Sequence, residues 1–241
     1  MFIIPMVGQS SRFFKAGFKE PKYKLEIGNA TVFDRAVMSF HDYFESDLFL
    51  FLVRSDYHAY EFVNTHAIKL GIKRFKIIEF TQETLGQADT VYQGLTRAKG
   101  FYSDEEPLYI FNIDTFHLNF AKADFSACDG YLEVFEGEGE HWSFVLPGED
   151  SNVIHTTEKD RVSNLCSNGL YFFKNPETFL TSYQKLVDLG LRSNGEYYIA
   201  PMYNTLISEN LNVKYKIIKI SDLIFCGTPD EYENALTTVT G

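Results

Sequence analysis

The hydrophobic pattern changes period along the chain, and the changes mark out its elements. MFIIPMV (1–7) is a short apolar run that stops at Gly8, the pattern of a buried strand. Thr31 followed by Asp34 predicts a capping box, after which Val32, Phe33, Ala36, Val37 and Phe40 recur at helical spacing. DLFLFLV (47–53) reads as a strand buried on both faces; Ser55 is expected to open the next helix and Gly71 to close it. RFKIIEF (74–80) predicts a third strand. A helix follows from about Gln87 to Lys99 and ends at Gly100, and LYIFN (108–112) predicts a fourth strand that runs into Asp114.

Strands alternating with helices imply parallel crossovers, and the ligands of such a sheet collect beyond the carboxyl ends of its strands. Gly8 and Asp114 both lie at such ends. The second half changes texture: YLEVFE (131–136), HWSFVLP (141–147), NVIHTTEK (152–159) and GLYFFK (169–174) are strand-like pieces without helices between them. Helices resume at 176–189, closed by Gly190, and near 196–208, where Pro201 should kink or delay the helix. Thr228-Pro229-Asp230-Glu231 combines an N-cap, an N1 proline and an N3 glutamate. The acidic stretch EGEGE (136–140) reads as a solvated hairpin loop. The fold expected is α/β: one domain over 1–241 with an open, mixed, mainly parallel sheet and helices on both faces. Its nucleotide-binding half is expected over 1–115 and its acceptor-binding half over 116–241.

Composition narrows the partners. With 33 acidic against 22 basic residues the formal charge is −11, which repels a phosphodiester backbone and argues against nucleic acid. Hydrophobic residues make up 45% of the chain, enough for a substantial core. Cys128, Cys166 and Cys226 are scattered and cannot all pair, which suits a reducing cytoplasm. No apolar run approaches a membrane span of about 18 residues, so no membrane partner is expected.

Against that acidic background the opening segment stands out. Met6, Val7, Gly8, Gln9, Ser10 and Ser11 form a strand end and small-residue loop whose backbone N–H groups can approach a polyanion, and Arg12 and Lys22 add a donor fork and a mobile charge suited to a triphosphate. The loop lacks the later glycines of G-x-G-x-x-G and the G-K-[ST] of a P-loop, so both common nucleotide motifs are excluded.

With the loop, the acid and the α/β pattern assembled, the chain resembles the nucleotidyltransferase family of nucleoside-diphosphate-sugar pyrophosphorylases and choline-phosphate cytidylyltransferases of bacterial surface-polysaccharide pathways. IIPMVGQSSRF (3–13) is similar to the family's signature strand and loop, PKYKLEIG (21–28) to its continuation, TLGQADTV (84–91) to the segment that meets the base, and FNIDT (111–115) to the metal-bearing strand end. TEK (157–159), NGLYFF (168–173), NGEYYIAPM (194–202) and CGTPDEYENA (226–235) resemble its acceptor-binding and closing segments.

The resemblance implies attack of an acceptor phosphate on the α-phosphorus of a nucleoside triphosphate, with release of pyrophosphate. It assigns Arg12, Lys22 and Asp114 to catalysis, magnesium to Asp114, and Gly86 and Gln87 to the base pocket. Glu158, Lys159, Asn168, Gly169 and Glu196 fall to the acceptor. The wording S-S-R-F-F-K-A-G and P-K-Y-K leans toward capsule-locus members and CTP, with a sugar 1-phosphate, phosphocholine or a phosphorylated amino-acid-like acceptor. A homodimer is left open.

One departure is that Phe225 occupies the place of a second magnesium-binding aspartate, and an aromatic ring cannot ligate the ion. Asp222 or Asp230 is the expected substitute, or the site runs with one carboxylate. Two competing readings remain. One is a metal-dependent glycosyltransferase, which the sequence Asn112-Ile113-Asp114 disfavours because it lacks D-x-D; the other is a non-catalytic nucleotide-binding regulator.

Overall fold

Most of the elements read from the hydrophobic pattern form, and the caps show why they start where they do. The computed structural model describes residues 1–124 and 128–240. In chain order these give β1 (Phe2–Met6), α1 (Ser11–Lys15), β2 (Glu26–Ile27), β3 (Ala30–Thr31), α2 (Val32–Met38), β4 (Leu48–Arg54), α3 (Ala59–Leu70), β5 (Arg74–Phe80), α4 (Gln87–Arg97) and β6 (Leu108–Phe111). The chain continues with β7 (Thr115–His117), β8 (Gly130–Glu136), β9 (Ser143–Pro147), β10 (Val153–Glu158), β11 (Leu165–Phe173), α5 (Pro176–Asp188), α6 (Tyr203–Ser208), β12 (Val213–Ile217), β13 (Leu223–Phe225) and α7 (Pro229–Thr240).

The capping box at α2 is complete: Asp34 N–H donates to Thr31 Oγ1 at 3.1 Å and Thr31 N–H to Asp34 Oδ2 at 3.0 Å. At α7, Glu231 N–H donates to Thr228 Oγ1 at 3.2 Å and Thr228 N–H returns to Glu231 Oε2 at 2.9 Å. Such caps stabilise a helix by about 1 kcal/mol each. Pro201 delays its helix as expected, since a 3-10 turn covers Ala200–Met202 before α6 begins.

Three expectations fail for identifiable reasons. Ser55 does not open α3, because the Asp56 carboxylate is held by Arg54 Nε at 2.9–3.0 Å and both Tyr57 and His58 adopt left-handed backbone, so the helix starts at Ala59. EGEGE is solvated but joins no hairpin: β8 and β9 both pair with β11, where Cys166 lies opposite Phe135 of one and Phe144 of the other. Ser11 and Arg12, read as the end of the loop, instead open the helix α1.

Contacts group the chain differently from its linear order. Met1–Ile3, Glu83–Phe111 and Lys122–Ile220 form a central unit; Ile4–Gln82, Asn112–Ala121 and Ser221–Gly241 form an N-terminal unit. In the central unit β1 pairs parallel with β6, and β11 runs antiparallel to β6, β8 and β9. β12 pairs parallel with β8 there. The N-terminal unit carries the parallel pair β4·β5, with β4 buried almost throughout and Phe33 packed on Phe51 at 5.5 Å between ring centres. The parallel pairs β1·β6 and β4·β5 and the antiparallel strands about β11 are those of the expected α/β fold. The three cysteines are buried and free.

Candidate active site

In the N-terminal unit, β1 delivers the chain into the small-residue loop. Met6 and Val7 are buried, so only their backbone is available to a ligand, whereas a Cβ on Gly8 would meet nothing within 4 Å. Among the described residues no protein acceptor takes the N–H groups of Gly8, Ser10, Ser11 or Arg12. Ser10 is left-handed (φ 52°) and its Oγ accepts the Lys22 N–H at 3.2 Å, which ties the loop to the 3-10 turn Lys22–Lys24. The Gln9 side chain takes a long bond from Ser11 Oγ at 3.4 Å. Phe13, buried against Phe18 and Tyr232, anchors α1 and leaves Arg12 exposed.

Lys22 Nζ donates to Asp114 Oδ2 at 2.5 Å, with both side chains about one-fifth exposed. The sequence places these residues 92 positions apart, and the fold brings them together. Asp114 is held from the other side by Cys226, whose N–H donates to its carbonyl at 2.7 Å beside the β7·β13 ladder. Burial, with help from Asp114 and Glu231, pushes the Cys226 thiol up to about 12, so it stays protonated and inert as a nucleophile at neutral pH.

Of the two carboxylates expected in place of the missing aspartate, Asp222 is held away from Asp114. Asp222 sits at the far end of the β7·β13 ladder, its carbonyl accepting from Leu118 N–H and its carboxylate from Asn119 Nδ2 at 2.9 Å. Asp230 is exposed on the first turn of α7. The structure instead brings Glu231 to Asp114: a Cβ on Gly227 would lie 3.0 Å from Asp114 Oδ2 and 3.3 Å from Glu231 Oε2. Its position three residues after Thr228 marked Glu231 as a cap and masked this second proximity. Among the described residues no three His, Cys, Asp or Glu side chains group as a metal cluster.

The other sequence-assigned residues lie in the central unit. Gly86 (φ 120°) packs its α-carbon on the Tyr197 peptide, and the flanking bonds Tyr197 N–H to Leu85 O (2.7 Å) and Ala88 N–H to Tyr197 O (3.0 Å) staple the 84–88 segment there. Gln87 is the first residue of α4. Buried Asp89 holds the same segment, accepting from Leu85 N–H at 2.7 Å, Gln93 Nε2 at 2.9 Å and Tyr183 Oη at 2.7 Å.

Glu158 ends β10 and Lys159 follows it, Nζ to Oε1 3.7 Å. Burial raises the Glu158 carboxyl despite the bond from Ser143 Oγ and the charge of Lys159. Lys159 has left-handed backbone (φ 57°), and its Nζ donates to Tyr198 Oη at 2.8 Å while lying 4.6 Å from that ring's centre. Burial works against its charge, but Tyr198, Glu158 and exposed Glu196 together hold its basicity above the usual lysine range. Tyr198 was not singled out in the sequence; only the NGEYYIAPM segment that contains it was.

Asn168 is not presented to a ligand. It is 2% exposed, its Nδ2 donates to Glu133 Oε2 at 3.2 Å and its Oδ1 accepts the Leu170 N–H at 2.9 Å, so it shapes the strand from inside. Gly169 (φ 88°) follows it at the bulge of β11.

No protein-family model and no curated protein matches the sequence. Solved structures do. A nucleoside-diphosphate-sugar pyrophosphorylase from Vibrio cholerae RC9 matches at 47% identity and a TM-score of 0.93, over 98% of this chain and 100% of that one. The inositol-1-phosphate CTP transferase of T. maritima matches at 14% identity and a TM-score of 0.72, over 99% and 95% of the two chains. A UDP-glucose pyrophosphorylase complexed with UDP-glucose matches at 14% identity and 0.72, over 98% and 97%. The two distant matches share the fold. The chain belongs to the nucleoside-diphosphate-sugar pyrophosphorylase family of nucleotidyltransferases. Among the described residues no helix is long and apolar enough to cross a membrane.

Proposed function

We propose that the protein transfers a nucleoside monophosphate from a triphosphate to a phosphorylated small-molecule acceptor and releases pyrophosphate. The observation that carries the reading is the Lys22–Asp114 pair beside a loop with unclaimed amides, in a chain of which 98% matches a pyrophosphorylase at 47% identity. The loop amides and Arg12 bind the β- and γ-phosphates. Lys22 meets the charge that grows on the departing pyrophosphate, where preorganised donors are worth most. Lys159, set by Tyr198, holds the acceptor phosphate, and Glu158 orients an acceptor hydroxyl or amine. Gly86 and Gln87 border the base.

The residues fit magnesium. Asp114 and Glu231 flank a cradle that a Cβ on Gly227 would fill, and magnesium is commonly held by one or two carboxylates with substrate phosphates supplying the rest. Asp114 would be its protein ligand, and the ion would neutralise phosphate charge. CTP is the favoured donor and a capsule or surface-polysaccharide pathway the favoured setting, both resting on the sequence resemblance.

The test is pyrophosphate release with each of four triphosphates against a panel of sugar 1-phosphates, inositol 1-phosphate, phosphocholine and phosphorylated amino acids. Acceptor-dependent release with one donor supports the reading. Tight triphosphate binding without release under any pairing refutes catalysis and leaves the regulator.

A further inference from the structure

In the central unit a buried acid holds the segment that borders the base. Asp89 is 6% exposed on the first turn of α4. Its Oδ2 accepts from Leu85 N–H at 2.7 Å and Gln93 Nε2 at 2.9 Å, and its Oδ1 from Tyr183 Oη at 2.7 Å. Burying a carboxylate costs more than burying an apolar side chain of its size, so packing does not account for the acid. Capping does not account for it either. An acid at the third helical position of a capping box bonds the N–H of the N-cap residue, here Gly86, whereas Asp89 reaches past Gly86 to Leu85.

The neighbouring backbone groups are held as well. Leu85 O accepts from Tyr197 N–H at 2.7 Å, Ala88 N–H donates to Tyr197 O at 3.0 Å, and Gly86 O accepts from Thr90 N–H at 3.0 Å. Gly86 N–H is left without a protein acceptor among the described residues. Tyr183 of α5 joins these parts. Its ring stacks on Tyr92 of α4 at 4.5 Å and stands edge-on to Tyr197 at 5.8 Å between ring centres, while its hydroxyl orients the Asp89 carboxylate. Burial and that carboxylate push the hydroxyl well above the usual tyrosine range, so it stays a donor.

We propose that Asp89 and Tyr183 are positioning residues for donor selection: buried and engaged with each other, they touch no substrate and fix the 84–88 backbone in the one geometry that meets the base. The inference rests on the transferase reading, in which Gly86 and Gln87 border the base. Phosphate binding belongs to the loop of the N-terminal unit and does not depend on the pair. Nor does acceptor binding, since the contacts of Lys159 to Tyr198 and Glu158 include neither residue.

The experiment measures calorimetric binding of CTP, UTP, GTP, ATP and inorganic tripolyphosphate, which carries phosphates without a base, to the full chain. Asp89→Ala should weaken the preferred triphosphate at least about tenfold and narrow its lead over the other three, leaving tripolyphosphate affinity and the acceptor KM at their wild-type values. Asp89→Asn can still accept from Leu85 N–H and donate to Tyr183 Oη, and should restore most of the affinity. Tyr183→Phe removes the hydroxyl and keeps the buried ring, so it should show the same pattern in weaker form even where Asp89→Ala fails to fold. Equal losses for triphosphate and tripolyphosphate, a matching rise in acceptor KM, or affinity and base preference unchanged in the variants overturns the proposal. So does a wild type indifferent to the base. The transferase reading fails separately: triphosphate binding without pyrophosphate release refutes transfer, while the binding comparison still decides the role of Asp89.

Discussion

Gly86→Ala is the substitution whose cost can be worked from geometry. An alanine Cβ would lie 2.6 Å from the Tyr197 carbonyl oxygen and 2.7 Å from its nitrogen, both backbone atoms that cannot swing aside. The backbone at φ 120° and ψ −179° is one that L-residues avoid, at about 1–3 kcal/mol. Relief of the overlap by backbone movement adds about 1–3 kcal/mol. The sum is about 2–6 kcal/mol, which for a chain of this size lowers Tm by roughly 5–20 °C. Gly71→Ala is the control, since Gly71 has φ 87° but open space around it and should cost only about 1 kcal/mol. Thermal denaturation by circular dichroism measures both. The steric reasoning is refuted if the Gly86 variant melts no lower than the Gly71 variant.

Asp114→Asn should keep the fold and reduce turnover by about 10²–10³, the loss typical of one transition-state charge stabiliser; turnover within threefold of wild type would remove Asp114 from catalysis. Arg12→Ala should weaken triphosphate binding and turnover together, whereas Lys159→Ala should mainly raise the acceptor KM. Tyr198→Phe, which deletes the bond to Lys159 Nζ, should raise the same KM by about 5–10-fold without touching calorimetric triphosphate binding. Asp34 has a folded pKa below its unfolded value, so its pairing stabilises the protein above about pH 4 and that stability is lost as pH falls through the lower folded value. The Tm gap between wild type and Asp34→Asn should therefore narrow below pH 4, and a constant gap would contradict the pairing.

Much of this was legible in the sequence because it is local. β5 falls on residues 74–80 as read, α4 and α5 begin at Gln87 and Pro176 as read, and both capping boxes are present, since periodicity and a cap three residues away need no long-range information. What escaped depends on partners distant in sequence or on competition for a side chain. Ser55 could not open α3, because Tyr57 and His58 take left-handed backbone before the helix begins at Ala59, and Asn168 turned inward because a buried Glu133 35 positions away requires a donor. Glu231 was visible as a cap but not as the neighbour of Asp114, more than a hundred residues earlier in the chain. Lys22 and Asp114 were recognisable one at a time, and only the fold makes them a pair.

The measurement that bears most directly on the central claim follows two labels through one turnover. With the donor triphosphate labelled at the α-phosphorus, the label should appear in a product that also contains the acceptor's phosphate; with the γ-phosphorus labelled, it should appear in pyrophosphate. Label from the γ position in the acceptor, or α-label released as free monophosphate with no acceptor adduct, would contradict nucleotidyl transfer.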